Sequence, residues 1–534
     1  MSADAGPSIA PDARRDSPAS HGMHLGHYRL ELHRGVGTFA SFAAGFSFVS
    51  ILTTVDQFFF IGFGFGGAAF FWTWPVVFIG QLLVAYNFAT LAARFPISGA
   101  IYQWSSRLAG PTFGWFTGWV MVVAEILTTA AAAIALQAIL PQIWTGFQFM
   151  GGPDADSSPT SPTGAANAVV LGIILLGITT VINALSVRLM SAINTAGVVL
   201  ELIGVAVVLV MLFTHVKRGL GTVMHATGAT TPAHSNQVFA WAASALMAAY
   251  VMVGFDSAGE LSEETHAPRR TTPRTITRSL IVSGVLGMLL LLGGILAAPS
   301  LTDGTLSSIG LPAVLSDVFG PTAGRIVLAD VAIAVFACTL AIQTAGSRMI
   351  YSMARERSLP FPGFLSKVSK TNGAPFVSTF VVGIGAAIVL LINIKQSAIF
   401  TALASLCIGM LYLAYLGVTV PLLIERIRHR RDDLVLDGVD EHGNPLFALG
   451  RWGIVVNGLA VVYQVVMAVN LLWPRSAVYD TTGHTWWLKW SAVLFIGLTL
   501  VAGFLIHRRN EQREGAKQAM PYLPETAGME AATA

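Results

Sequence analysis

The chain has 534 residues, of which 54% are apolar and 11% charged, with a formal net charge of +3. A soluble domain carries about a quarter charged residues, so this composition excludes a water-facing globule. So small a net charge, with no basic face, also speaks against a nucleic-acid partner. Cys338 and Cys407 both sit in apolar stretches with no CxxC and no histidine at ligand spacing, which points to neither a disulfide scaffold nor a zinc site.

In chain order, residues 1–34 are polar and lack the apolar core and cleavage site of a signal peptide, and a disordered cytoplasmic tail is expected there. Apolar blocks of about 20 residues then follow one another, the length a helix needs to cross about 30 Å of hydrocarbon. Twelve spans are expected, near 36–66, 68–91, 111–140, 167–187, 192–214, 238–261, 277–298, 326–350, 375–394, 399–424, 452–473 and 485–506. Residues 425–451 read as a polar cytoplasmic loop and 508–534 as a second cytoplasmic tail. Lipid is the solvent that explains the chain, and an all-α polytopic membrane protein of the cytoplasmic (inner) membrane is the expected class.

Basic residues set the orientation through the positive-inside rule. Every even-numbered span is followed by them: Arg94 and Arg107, Arg188, then Arg269, Arg270, Arg274 and Arg278, then Arg355, Arg357, Lys367 and Lys370, then Arg426, Arg428, Arg430 and Arg431, and last Arg508 and Arg509. The odd exits hold scattered exceptions, Lys217, Arg218, Lys395, Arg475 and Lys489, and residues 151–164 hold no Lys or Arg. Both termini are therefore expected in the cytoplasm.

Spans 1 and 6 carry polar residues and glycines that a plain anchor does not need. Span 1 holds Ser50, Thr53, Thr54, Asp56 and Gln57 near its middle; span 6 holds Gly254, Asp256, Ser257, Gly259 and Glu260. A carboxylate at the bilayer centre costs about 2.5–3.5 kcal/mol, so Asp56 and Asp256 should face a cavity or a partner. Two helices that unwind at these points would offer amide N–H groups to an anion and carbonyls to an ammonium. The plainer readings are an acid that caps a half-helix and small residues at a helix contact. Glu125, Glu201 and Asp330 are isolated acids in spans 3, 5 and 8, candidates to relay a proton or to pair with a buried base. Glu260, Glu263 and Glu264 stand beside four arginines and read as a solvated salt-bridge cluster with at most a gating part. Span 5 holds no lysine, so no ammonium stands there in place of a bound sodium ion.

Three stretches carry a resemblance: RFPISGAIYQWSSRLAGPTFGWFTGW from Arg94, GFDSAGELSEETHAPRRTTPR from Gly254 and SRMIYSMARERSLP from Ser347. In their order and spacing the chain resembles the amino acid-polyamine-organocation superfamily of permeases, in the branch of amino acid, choline and 4-aminobutyrate permeases. The resemblance implies the leucine transporter-type fold. Residues 35–424 would be the transport core of helices 1–10 in two inverted five-helix repeats, 452–507 the peripheral helices 11 and 12, with helix 1 broken near Ser50–Thr54 and helix 6 near Val253–Ser257. It further implies a substrate site of Ser50, Ile51, Leu52, Thr53, Thr54, Val253, Gly254, Phe255, Asp256 and Ser257. There Val253 and Gly254 carbonyls would meet an amine and Phe255 would close over it. Many relatives have Gly-Ser-Gly-Ile where this chain has Ser-Ile-Leu-Thr-Thr-Val, so backbone approach to a carboxylate is narrower here.

The expected activity is alternating-access transport of a small amine-bearing solute, such as an amino acid, choline, a polyamine or an omega-amino acid. Asp56, Glu125, Glu201, Glu260 and Asp330 are the coupling or gating candidates, with H⁺ or Na⁺ as the coupling ion and no other cofactor. An exchanger of substrate for product and a solute receptor without flux are the alternatives. No P-loop is present to use ATP, and no HExxH, GxSxG or His/Asp cluster marks an enzyme, so no catalytic or metal-binding residue is expected.

Overall fold

The computed structural model describes residues 32, 35–158, 161–230, 236–369, 373–393, 399–428, 439, 443–479 and 486–514. The expected N-terminal tail (residue 32 apart), residues 515–534 of the C-terminal one, much of the 425–451 loop, and Lys370, Lys395, Arg430 and Arg431 lie outside them; residues 508–514, expected in the tail, continue the last helix. The principal helices are α1 (Thr38–Val49), α2 (Ile51–Gly66), α3 (Thr73–Arg94), α4 (Ala100–Ala109), α5 (Pro111–Ile134), α6 (Pro162–Leu185), α7 (Val187–Thr214), α8 (Gln237–Val251), α9 (Pro268–Ala297), α10 (Leu311–Arg355), α11 (Phe376–Asn393), α12 (Ile399–Arg428), α13 (Gly453–Leu472) and α14 (Ser491–Glu514). Among the described residues nine helical runs are long and apolar enough to cross a membrane; one of them, Thr38–Arg94, contains two spans. With the shorter apolar helices Gln237–Val251 and Phe376–Ile392 they account for the twelve expected spans among the described residues. Helices are the form that satisfies every backbone group inside lipid.

Several helices overrun the expected spans. α9 begins at Pro268 rather than 277, and α10 runs from Leu311 to Arg355 around a bend at Gly320, whose φ of 70° and ψ of 179° leave the helical region. Hydropathy reports only the part of a helix that meets hydrocarbon: the leading end of α9 is polar and helical at once, and at α10 Gly320 and Pro321 part the first turns from the apolar run.

The broken first span and α8 occupy the middle. α2 packs on α8, α1 on α9 and α7, α10 flanks both halves of span 1, and α5 packs on α10 and accepts a hydrogen bond from Gln57 of α2 at Ala131 O. α3 pairs with α9 and α6 with α11. α13 lies against α12 and α3, and α14 against α5 and α12. Only 17% of the most apolar window of α14 is buried, and α13 shows Val462, Val466 and Leu459 to the outside, so both are peripheral. The discontinuities thus fall in spans 1 and 6, the corresponding members of two five-span halves.

Candidate functional site

The two breaks differ in kind. Span 1 is interrupted at one residue: Ser50 has φ 36° and ψ 85°, its N–H still donates to Phe46 O (2.7 Å), and its own carbonyl already accepts from Thr54 N (2.9 Å). Left-handed geometry costs an L-residue about 1–2 kcal/mol, and it persists where surroundings over-determine it. Here they do: Ser50 Oγ reaches both Thr53 Oγ1 (2.7 Å) and Glu201 Oε1 (3.0 Å), and Leu52 N donates to the same Glu201 oxygen (3.1 Å). The helix resumes at Ile51, so the unwinding expected over Ser50–Thr54 is confined to Ser50.

Span 6 unwinds over residues 252–256, between Val251 and a short helical turn, Ser257–Glu260. Gly254 has φ 87°, and an added Cβ there would run into the Phe48 ring, so glycine is required twice over. Its N–H donates to Tyr415 Oη at 3.0 Å, and the same hydroxyl donates to Asp256 Oδ1.

Where the breaks meet, a small enclosed cavity is lined by Phe48, Thr53, Thr54, Gln57, Thr128, Ala132, Tyr250, Val253, Cys338 and Ile342. These come from both halves of span 1, from α5, from α8 and its continuation, and from α10. The space open to the centre of a water molecule is about 10 Å³, room for about one water. A larger solute enters only when the walls move.

Of the residues singled out in the sequence, Thr53, Thr54 and Val253 stand in this wall. Ser50, Ile51 and Leu52 are buried behind it, with Ser50 and Leu52 turned to Glu201. Phe255 is buried between Phe88 (ring centroids 6.0 Å apart) and Tyr415 (5.6 Å). Asp256 is bonded to Tyr415, and Ser257 Oγ donates to Ala44 O at 3.4 Å. Asp56 is buried on α2, outside the wall, with Oδ1 unpartnered. Glu125 lies against Gly346 of α10, close enough to Asp256 and Glu260 to feel their charge. Glu260 faces the amide end of α4 at residues 99–101. Asp330 lies beside Gly204, within electrostatic reach of Glu201. Phe48, Gln57, Thr128, Tyr250, Cys338 and Tyr415 had no assigned role in the sequence; such residues inside apolar spans are common, and only the crossing of α1, α2, α5, α8, α10 and α12 gathers these.

The arginine-rich end is closed by a buried network. Arg348 Nε donates to Glu264 Oε1 (2.9 Å), with both side chains fully buried. Arg355 grips Glu263 through two bonds of 2.7 and 3.0 Å. Ser98 N donates to Glu263 Oε1 (3.1 Å), Ser352 Oγ to Ser98 O (2.7 Å), and Gly35 N and Val36 N to Glu264 O (3.0 and 2.9 Å). The expected solvated cluster with Arg269–Arg278 is therefore corrected: Glu263 and Glu264 fold into the bundle and pair with α10, since buried charges need counter-charges there. At the opposite end, residues 226–230 cover α2, with Ala68 N donating to Thr227 O (2.9 Å) and Thr230 N to Gly64 O (3.0 Å). The described residues include no cluster of His, Cys, Asp and Glu able to hold a metal ion.

Comparison with known proteins places this architecture. Residues 36–500 match the family described as "Amino acid permease". The chain is 26% identical over 511 residues to "Amino-acid permease BAT1" of Arabidopsis thaliana, covering 89% of this chain and 91% of that one. It is 26% identical over 420 residues to "Thiamine transporter thi9" of Schizosaccharomyces pombe, covering 71% and 69%. It is 25% identical over 350 residues to "Methylthioribose transporter" of Bacillus subtilis, covering 65% and 71%.

Proposed function

The chain belongs to the amino acid permease family, and from that premise we propose that it moves an amino acid or a related small amine across the cytoplasmic membrane by alternating access. One observation carries the reading: a closed, largely apolar cavity with a few polar side chains at the meeting of two broken helices, with a separate seal at each end. Opening one seal at a time exposes one site to alternate sides. The named activities of the relatives, carriers of amino acids, thiamine and methylthioribose, fit a cavity that takes small solutes. By the positive-inside rule the arginine-rich end faces the cytoplasm, as do both termini.

In this reading the amine meets the carbonyls at the ends of α1 and α8, around Val253 and Gly254, and Thr53 and Thr54 contact the solute from α2. The pair of bridges Arg348–Glu264 and Arg355–Glu263 is the cytoplasmic gate. Asp56, Glu125, Glu201, Asp256 and Glu260 are buried acids, and Asp330 a half-buried one, with oxygens that lack a partner. Such groups are sites where a coupling proton binds, with Na⁺ as the alternative coupling ion. Phe255 is the ring that shifts with the span 6 break.

Uptake into liposomes tests this, with labelled alanine, choline and putrescine under imposed proton or sodium gradients, and with Asp256→Asn and Asp56→Asn beside wild type. One solute driven by one gradient and lost in either variant supports the reading. Flux seen only as counterflow, with no net uptake under either gradient, identifies an exchanger, and binding without flux identifies a receptor.

A further inference from the structure

The amides that open a half-helix are a protein's natural seat for an anion. At the start of α2 that seat is already filled from within. Glu201 reaches across from α7, accepts Leu52 N and Ser50 Oγ on one oxygen, and faces the Ile51 amide as well. It approaches from behind: neither Glu201 nor residues 50–52 line the cavity. A carboxylate brought in by a solute therefore finds these amides taken.

What the wall does offer is mainly of the opposite kind, the hydroxyls of Tyr250 and of Thr53, which accepts from Ser50 Oγ, being its remaining donors. Thr54 Oγ1 donates to Val49 O and Ser50 O, and Thr128 Oγ1 to Ala124 O at 2.7 Å, so these hydroxyl protons are used. Gln57 Nε2 donates to the Ala131 carbonyl at 3.2 Å; because that carbonyl can only accept, the amide orientation is fixed and Oε1 is left, buried and without a partner. The rings of Phe48 and Tyr250 supply π faces, which attract cations. No Lys, Arg or His stands in the wall.

We propose that Glu201 is a specificity-determining residue that stands in for a solute carboxylate. The cavity then selects an amine cation that has N–H groups to donate and no carboxylate beside them. The inference rests on the permease reading above and narrows its solute class.

The test is competition for uptake by the full-length protein in liposomes, with putrescine, choline and alanine as probes. Putrescine is expected to outcompete alanine by about tenfold or more, the effect of one good polar contact. Choline, which has no N–H, should fall between them. Glu201→Ala frees the amides of Ile51 and Leu52 and should narrow the putrescine preference about tenfold, whereas Glu201→Gln, which keeps a carbonyl acceptor, should retain it. A wild-type preference for alanine, or a folded Glu201→Ala protein with an unchanged ratio, overturns the inference and leaves the permease standing. If Glu201→Ala does not fold, the wild-type ratio alone decides. Absence of flux for all three solutes overturns the permease reading, and this one with it.

Discussion

Replacing Glu264 by Gln removes the counter-charge of Arg348 while keeping the side-chain shape. Both members of the pair are fully buried, and Arg348 has Ser347 Oγ as its other side-chain acceptor at 2.9 Å. Losing one partner of a buried pair costs about 3–5 kcal/mol, because the remaining charge stays out of water. That cost falls on the closed form alone: once the arginine-rich end opens, water solvates the lone guanidinium. At about 1.4 kcal/mol per factor of ten, the population open at that end should rise by a factor of at least about 100. A native reporter is in place, since Cys338 lines the cavity and is buried in the closed form. In a Cys407→Ser background, a water-soluble thiol reagent applied at the arginine-rich end should label Cys338 much faster in Glu264→Gln than in wild type. Arg348→Met combined with Glu264→Leu fills the same space without charge and should return labelling toward the slow rate. A folded Glu264→Gln protein labelled at the wild-type rate would refute the assignment of this pair as a gate.

Other perturbations follow from the same geometry. Gly254→Ala combines a left-handed backbone with a Cβ pressed on Phe48, and should destabilise the protein by at least about 2 kcal/mol, seen as a lower midpoint in thermal unfolding in detergent. Tyr415→Phe takes the acceptor from Gly254 N and the donor from Asp256, at a cost of about 1–3 kcal/mol; the same unfolding assay should show it, with reduced uptake. Gln57→Leu removes the open acceptor of the cavity wall and should raise KM for the transported amine about tenfold in initial-rate uptake, with the unfolding midpoint little changed.

The membrane class and the twelve spans were legible because about 20 consecutive apolar residues have few other uses. The span 6 break was legible at Gly254 and Asp256, a glycine and an acid where hydrocarbon favours neither. The form of the span 1 break was not: Ser50 adopts φ 36° through bonds to Glu201, 151 residues further on, and no local pattern announces them. The bridges of Glu263 and Glu264 span 92 and 84 residues, so their nearest basic residues in sequence were the wrong partners. The helical overhang of α9 was hidden by its polarity, and that of α10 by the interruption at Gly320 and Pro321. The cavity wall beyond Thr53, Thr54 and Val253 is drawn from residue types found throughout apolar spans, and depends on which helices cross.

The most direct test of the account is counterflow in liposomes loaded with unlabelled solute and diluted into its labelled form, wild type beside Gly254→Ala. Transient accumulation of label by wild type, lost in a folded Gly254→Ala protein, is the predicted result. Wild-type protein that binds the solute at the cavity yet exchanges none of it across the bilayer would contradict alternating access.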